Sequence, residues 1–413
     1  MAGASSRAAV ASDIDSPYAW LRLVIALTLG TLGGVGMWSV VVALPAVQAD
    51  FHVARADASL PYTLAMVGFV FGGIMMGRLS DRFGIVAPLV LGTCSLSLGF
   101  IATAWAPSLW SFGIIYGVMI GLLGSSALFS PLIADCSHWF LKRRGIAVAI
   151  AASGNYLGGT IWPPIIQPFI EQYGWRSTHI GIGIVCFVTM MPLILIMRRR
   201  TPLFATSGAA TPANGGSAGI GLKPGALQAL LVIAGISCCV AMSMPQVHIV
   251  AYCVDLGYGP ARGAELLSVM MGFGVISRFA SGWVLDRFGG LPTLLAGSTL
   301  QAVALALYLP FDGLVSLFII SAVFGLFQGG IIPSYAIIVR ETFPAREAGT
   351  RVGLVISSTI AGMALGGWLN GAIFDLTGSY RNALLNGLAW NFLNMAIASW
   401  LLVRASRPRP AAA

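Results

Sequence analysis

The chain has 413 residues, of which 57% are hydrophobic and only 9% are charged. Because soluble domains carry about 25% charged residues, this composition excludes an ordinary soluble protein and predicts one embedded in a lipid bilayer. The net charge of +9 does not indicate a nucleic-acid partner, since the basic residues are spread over alternate loops rather than gathered on one face.

Residues 1–18 are small and polar, which predicts a disordered cytoplasmic tail rather than a secretory signal. Hydrophobic runs follow, of the length that a transmembrane helix needs, about 20 residues. The first six are Ala19–Val47, Ser59–Met76, Ile85–Ala104, Leu109–Ala134, Ile146–Phe169 and Thr178–Met197. A stretch rich in Gly, Ala, Ser and Pro, residues 198–225, predicts a flexible cytoplasmic linker. Six more runs and a tail at 405–413 complete the chain: Gln228–Tyr252, Ala264–Leu285, Leu291–Pro310, Leu314–Val339, Val352–Phe374 and Ala383–Val403.

The two halves of the chain repeat. The segment GRLSDRFG at Gly77–Gly84 follows the second run, and GWVLDRFG at Gly282–Gly289 follows the eighth, 205 residues later. A weaker echo pairs the Gly-Trp-Arg of residues 174–176 with the Gly-Ser-Tyr-Arg of residues 378–381. We therefore expect an all-α membrane protein with twelve transmembrane helices in two pseudo-symmetric six-helix bundles, residues 19–197 and 226–404.

The orientation follows from the placement of lysine and arginine, which accumulate on the cytoplasmic side of membranes. With the N-terminus inside, 18 of the 23 basic residues are cytoplasmic, four are outside, and Arg278 lies within the membrane. The expected location is a multi-pass position in the cell (inner) membrane, with both termini cytoplasmic. Neither composition nor loops indicate an obligate partner, so a monomer is expected.

Arg278 lies about 14 residues into the eighth run, or ~21 Å along a helix. A guanidinium stays charged at any relevant pH and is costly to bury in hydrocarbon, so a cation at this depth needs a function or an ion-pair partner. One reading is a salt bridge to a neighbouring helix. The favoured reading is a transported anion, because the planar fork of donors can grip a carboxylate in a bidentate manner.

The segment GRLSDRFG resembles the loop signature of the major facilitator superfamily. Together with its second copy and the central linker, the resemblance covers essentially the whole chain. His138–Gly159, His248–Pro260 and the lone arginine of helix eight resemble more narrowly the monocarboxylate transporter and oxalate–formate antiporter branch. The resemblance implies that Arg278 anchors the substrate. It also implies a cytoplasmic gate formed by Asp81, Arg82, Asp286 and Arg287, with Asp81 near Arg351 and Asp286 near Gly145. The alternative is that these turns serve only to orient the helices in the membrane, through their positive charges.

Two departures from that branch affect the expected chemistry. The resembling oxalate carrier has a lysine on helix eleven, but here both lysines, Lys142 and Lys223, lie in loops, so charge balance favours a monocarboxylate over a dianion. The animal carriers place an aspartate four residues before the arginine, where this chain has Gly274. A proton would then be carried elsewhere, by Asp255 or by His248, which share a face of helix seven. The alternatives are that Asp255 only pairs with Arg262 and that His248 only forms a hydrogen bond with a backbone carbonyl.

Further polar and aromatic residues are candidates for the substrate cavity, each with packing as its alternative role: Tyr335, Asn155, Tyr156, Trp38, Trp162, Gln246 and Gln328. The chain has no nucleotide-binding or catalytic motif, and its six cysteines show no metal spacing, so neither an enzyme nor a cofactor is expected. We expect a secondary active transporter of small monocarboxylates, working by alternating access and coupled to protons. An anion exchanger of the oxalate/formate type and a non-transporting membrane receptor or sensor are the alternatives.

Overall fold

A computed structural model of the chain describes residues 14–140, 143–199 and 221–406. In these ranges the secondary structure is helical, without a strand, as expected. Eleven helical segments are long and apolar enough to cross a membrane. Most of the predicted tails and linker, residues 1–13, 200–220 and 407–413, lie outside the described residues.

We number the membrane-spanning helices α1 to α12. Those of the first half are α1 (Pro17–Phe51), α2 (Arg55–Phe83), α3 (Val86–Ala104), α4 (Leu109–Trp139), and α5 and α6, which together occupy Gly145–Ile196. Those of the second half are α7 (Pro224–Asp255), α8 (Pro260–Phe288), α9 (Gly290–Leu307), α10 (Leu314–Thr342), α11 (Ala345–Thr377) and α12 (Tyr380–Ala405).

The eleven segments contain twelve crossings because α5 and α6 are joined without a loop. The helix Gly154–Ile196 has 43 residues, about 65 Å of helix, which is twice the thickness of a bilayer core. Its interior holds Gly174 with φ 77° and ψ 160°, a non-helical conformation that glycine adopts without steric cost. Gly174 therefore separates α5 from α6, and the predicted number of helices is consistent with the structure.

Contacts divide the chain into two compact units. The first unit holds the described residues before 208 together with Ile249–Gly272, the adjoining ends of α7 and α8. The second holds the described residues from 221 to His248 together with those from Phe273 onward. Helices α7 and α8 thus each contribute to both units.

In the first unit, glycines bring α1 and α5 into backbone contact. A Cβ atom added at Gly158 would lie 2.9 Å from the carbonyl oxygen of Thr31 and 3.1 Å from Cα of Gly34. One added at Gly154 would lie 3.1 Å from the carbonyl carbon of Gly30. Each helix therefore presents a Gly-x-x-x-Gly pair to the other, the arrangement that lets transmembrane helices approach closely.

The second unit repeats this device between α7 and α11. A Cβ atom at Gly362 would lie 2.9 Å from Cα of Ile236, and one at Gly366 would lie 2.8 Å from Cα of Val240. The loop signature is repeated too, since Gly84 has φ 80° and ψ 169° and Gly289 has φ 79° and ψ 178°. These matched turns agree with the predicted pseudo-symmetry.

Helices α4 and α10 are both interrupted. In α4, residues Tyr116–Ser125 form a π-helix, and the α-helix resumes only at Ser130–Trp139. In α10, the helix ends at Gln328 and resumes at Ile331. Interrupted helices at corresponding positions of two repeats often mark the binding site of a transporter, and π-helical segments are frequent at functional sites.

Candidate substrate and gating sites

Arg278 lies inside the span of α8. It follows Pro260 by 18 residues and precedes Phe288 by ten, about 27 and 15 Å along the helix. Its side chain is half-buried, and Gly274, one turn before it, is buried. A Cβ atom at Gly282, one turn after it, would meet no atom within 4 Å. Arg278 therefore has open space next to it on its own helix.

The turn of α8 that carries Arg278 packs against the interruption in α10. A Cβ atom at Gly329 would lie 2.7 Å from the carbonyl oxygen of Gly274 and 2.8 Å from Oγ of Ser277. One at Gly330 would lie 2.9 Å from Oγ of Ser281. The two glycines thus let α10 approach α8 at the level of the arginine.

Gln328, the last residue before this interruption, lies in a buried amide pair. The Nε2 of Gln246 on α7 donates to Oε1 of Gln328 at 2.5 Å, and the exposed fractions of the two residues are 4% and 0%. Among the described residues, Nε2 of Gln328 has no hydrogen-bond acceptor. Because Oε1 of Gln328 already accepts from Gln246, the amide of Gln328 offers only its nitrogen, which is a hydrogen-bond donor.

Tyr335 does not face an open space. It is fully buried, and its hydroxyl donates to Oδ1 of Asn394 at 2.8 Å. Asn394 in turn donates to Oγ of Ser298 at 2.7 Å. The phenol therefore joins α10 to α12 and α9 through a buried network, which is the packing role that the sequence left open for it.

Trp38 and Trp162 pack in the contact between α1 and α5. The indole of Trp38 donates to the carbonyl of Asn155, and the indole of Trp162 donates to the carbonyl of Thr31, both at 3.0 Å. The two tryptophans therefore join the same pair of helices, one hydrogen bond running from α1 to α5 and the other from α5 to α1.

The side chain of Asn155 is half-buried and lies in a small cleft of the first unit. The cleft is also bordered by Met37, Phe69, Leu128 and Phe129, and its free volume is about 10 Å³, close to that of a single water. The amide of Asn155 contacts Sδ of Met37 at 3.5 Å. Its neighbour Tyr156 is 7% exposed. Of the four candidates on α1 and α5, Asn155 is the one at this cleft.

The two candidate proton carriers have different surroundings. Asp255 forms an ion pair with Arg55, at the start of α2, whereas Arg262 pairs with Glu265 at 2.7 Å. The predicted alternative partner of Asp255 is therefore occupied elsewhere. His248 is fully buried, and its Nε2 lies 2.8 Å from the carbonyl oxygen of Gly367 on α11, which matches the carbonyl contact considered for it.

The residues of the two repeated turns are exposed. Asp81, Arg82, Asp286 and Arg287 all lie at the surface, with the guanidinium of Arg82 5.2 Å from the ring of Phe83. In the second turn the guanidinium of Arg287 lies 5.7 Å from the rings of Trp283 and Phe288.

The second turn is also anchored by a residue that sequence reasoning missed. The carboxylate oxygens of Glu341, at the end of α10, accept from the backbone nitrogen of Gly290 at 3.2 and 3.3 Å. The carboxylate thus caps the N-terminus of α9, where the helix dipole favours negative charge. Its position at the end of an apolar run, beside basic residues, gives no distinguishing signal in the sequence.

Sequence reasoning also missed Arg55 and the pair of Arg22 and Asp135. In the sequence, both arginines look like ordinary basic residues near the ends of apolar runs. Both arginines bind carboxylates more than 100 positions away in the chain. The one available signal was the presence of acidic residues, Asp135 and Asp255, close to apolar runs.

Taken together, the helices define a multi-pass membrane protein with two repeated bundles. The chain belongs to the Major Facilitator Superfamily, whose family model matches residues 26–320 and 255–413. The members of this family are transporters rather than enzymes.

Curated relatives place the similarity within the monocarboxylate transporters, as predicted. Monocarboxylate transporter 13 of Bos taurus is 28% identical over 388 residues, which cover 89% of this chain and 85% of the relative. Monocarboxylate transporter 12-B of Danio rerio is 25% identical, covering 81% of this chain and 76% of the relative.

Solved structures share the fold. A bacterial homologue of the human lysosomal transporter Spinster, in an inward-facing and occupied conformation, aligns with a TM-score of 0.68 at 15% identity, covering 95% of this chain and 96% of its own. The peptide transporter POT in complex with sulfate aligns with a TM-score of 0.69 at 14% identity, with the same coverage of both chains.

Proposed function

We propose that this protein is a secondary active transporter that carries small monocarboxylates by alternating access, with the substrate carboxylate bound to Arg278. The observation that carries the proposal is the position of this arginine, half-buried and mid-span in α8, with open space at Gly282 and the interruption of α10 packed against its turn. Ionisable side chains at such depth in a membrane are costly, and they commonly mark the path of a charged substrate.

The chemistry of the neighbourhood favours an anion. The N-terminus of a half-helix, here Ile331–Thr342, carries a partial positive charge that stabilises negative charge nearby. The buried donor on Gln328 lies at the same interruption. An arginine, a helix N-terminus and an amide donor are all suited to carboxylate oxygens, so we place the substrate head group at this crossing of α8 and α10.

Charge balance favours a monocarboxylate. The buried arginine Arg22 has Asp135 as a bidentate partner. In the sequence, both lysines, Lys142 and Lys223, fall outside the apolar runs. One arginine can balance one carboxylate. The monocarboxylate transporters among the relatives agree with this substrate class.

Proton symport is the proposed coupling. A monoanion that enters against a negative-inside potential opposes ~2.3 kcal/mol per charge per 100 mV, which a co-transported proton removes. Asp255 and His248 remain the proposed carriers, and the cytoplasmic gate remains assigned to Asp81, Arg82, Asp286 and Arg287. The proposed location is the cell (inner) membrane with both termini cytoplasmic, the protein acting as a monomer of two bundles, residues 19–197 and 226–404.

The test is uptake of labelled carboxylates into proteoliposomes, with and without an inward proton gradient. We expect gradient-stimulated uptake of a monoacid that Arg278→Ala abolishes and Arg278→Lys restores in part, because lysine keeps the charge but loses the fork. Arg340→Ala is the matched control, since Arg340 is an exposed arginine at the end of α10.

Each other outcome contradicts a stated part of the proposal. Uptake that requires an anion on the opposite side and ignores the gradient identifies an exchanger of the oxalate/formate type. Binding of a carboxylate without flux identifies a receptor or sensor. Normal uptake by Arg278→Ala would show that Arg278 does not bind the substrate, and the assignment of the substrate class would fall with it.

A further inference from the structure

Arg55 and Asp255 form an ion pair that joins the first repeat to the second. Nη1 of Arg55 contacts Oδ2 of Asp255, and Nη2 lies 3.3 Å from Oδ1, so the guanidinium holds both carboxylate oxygens. The Nε atom of the same arginine donates to Oε1 of Gln48 at 3.1 Å. The arginine side chain is only 9% exposed and that of the aspartate 33%, which shields the pair partly from water.

A second contact between the repeats joins α8 to α5. Ser268 on α8 donates its hydroxyl to the carbonyl oxygen of Thr160 on α5. A Cβ atom at Gly159 would lie 2.6 Å from Cγ of Met271 and 2.8 Å from Cε2 of Trp38. The ends of α7 and α8 therefore contact α2 and α5 within the first unit.

Neighbouring ion pairs at the same end of the helices differ in one respect. Arg176 pairs with Asp50 and Arg262 pairs with Glu265, so both of these pairs lie within a single repeat. Neither has to break when the repeats change their contact. Of these three pairs, that of Arg55 and Asp255, 200 positions apart, is the one that such a change would break.

We propose that Arg55 and Asp255 form a latch that closes the path on the side of the α1–α2 and α7–α8 connections and parts once in each transport cycle. The inference rests on the alternating access of the proposed function, and in the proposed orientation this side is the outside. Removing either charge leaves the other without its countercharge, which weakens the closed state relative to the open one.

The latch is tested by the accessibility of a cysteine from outside, which requires no substrate. The reporter is Met37→Cys, at the small cleft of the first unit, in a Cys94→Ser background because the other five cysteines are buried. An impermeant maleimide is added to right-side-out vesicles. Asp255→Asn and Arg55→Gln should each raise the labelling rate by about fivefold, the scale of a partly exposed ion pair.

Two controls separate the latch from a general loosening of the fold. Asp50→Asn breaks a pair within the first repeat and should leave labelling unchanged. The charge exchange, Arg55→Asp with Asp255→Arg, should return labelling towards that of the parent protein. Equal labelling of the parent and both single variants, or an equal increase in Asp50→Asn, would overturn the latch.

A cross-link provides the converse test. Cysteines at both positions, Arg55→Cys with Asp255→Cys, joined by a short bis-methanethiosulfonate reagent that forms a disulfide with each thiol, should stop reporter labelling, and reduction of the disulfides should restore it. Unchanged labelling of the cross-linked protein would contradict the latch. Absence of uptake in the parent protein would contradict the proposed substrate instead, because labelling is read without it.

Discussion

The guanidinium of Arg22 holds the carboxylate of Asp135 through two parallel hydrogen bonds, 2.7 Å from Nε to Oδ2 and 2.9 Å from Nη2 to Oδ1. Both side chains are almost completely buried, at 1% and 3% exposure. The remaining nitrogen, Nη1, donates to the carbonyl of Met197 at 3.0 Å, and the guanidinium lies 4.6 Å from the ring of Trp139. One arginine thus joins the start of α1 to the ends of α4 and α6.

We predict that Asp135→Asn lowers the free energy of unfolding by about 3 kcal/mol, because the substitution leaves a buried guanidinium without its countercharge. Thermal or denaturant unfolding of the purified protein in detergent measures the change. Arg22→Met combined with Asp135→Leu should cost less than the single substitution, since apolar replacement removes both charges.

Asp50→Asn is the matched control for this prediction. The pair of Asp50 with Arg176 lies in the same unit, but its side chains are 40% and 38% exposed, so its loss should cost less than about 1 kcal/mol. Equal losses for Asp135→Asn and Asp50→Asn would show that burial does not set the strength of these pairs.

The contact of α1 with α5 predicts a second effect on stability. Gly158→Leu should destabilise the protein by about 2 kcal/mol, because its side chain would enter space held by the backbone at Thr31 and Gly34. Gly181→Leu on α6 makes the same chemical change where a Cβ atom would meet nothing within 4 Å, and it should be nearly neutral. Similar unfolding midpoints for the two variants would contradict the close approach of α1 and α5.

The helices and repeated turns were predictable because membrane thickness and backbone sterics act on short stretches. A span needs a minimum apolar length, and a turn such as Asp-Arg-Phe-Gly needs glycine where φ is positive. Both requirements leave a local pattern, so the spans and the repeats at Gly84 and Gly289 could be read directly. The junction at Gly174 also follows this rule, although no loop separates its helices.

The surroundings of the site residues were less predictable, because they depend on how distant helices pack. The depth of Tyr335 could be estimated by counting along α10. The interruption at Gly329–Gly330 separates Tyr335 from the first half of α10, and hydrogen bonds join the phenol to α12 and, through Asn394, to α9. The partner of Asp255 is 200 positions away in the chain and left no pattern that spacing could reveal.

The repeated turns yield a third prediction. Gly84→Ala and Gly289→Ala should each cost about 1–2 kcal/mol of stability, because a side chain with a Cβ atom is strained at these positive φ values. Gly353→Ala is the control, since this glycine lies within α11 with nothing within 4 Å of an added Cβ atom. Alanine there should be neutral or slightly stabilising. Unfolding midpoints that fall equally in all three variants would contradict the role of the turn conformation.

The last prediction concerns Gln328, for which a recognition role and a structural role give opposite results. Its Nε2 has no acceptor among the described residues, so the fold gains little from this donor. Gln328→Met, of similar volume, should change the free energy of unfolding by less than about 1 kcal/mol, because it removes one buried unsatisfied donor, Nε2 of Gln328, but leaves Nε2 of Gln246 without its acceptor. If the donor binds the substrate, the same variant should raise KM for uptake about tenfold, which corresponds to the loss of one hydrogen bond to a charged group.

Gln301→Met provides the comparison. Gln301 is equally buried and belongs to α9, and its Nε2 donates to the carbonyl of Cys238 at 3.5 Å. Its replacement should change KM by less than about twofold, the range of a substitution away from the site. A Gln328→Met protein that is less stable but transports with the parent KM would assign the amide to packing. The anion site at the crossing of α8 and α10 would then rest on Arg278 and the half-helix alone.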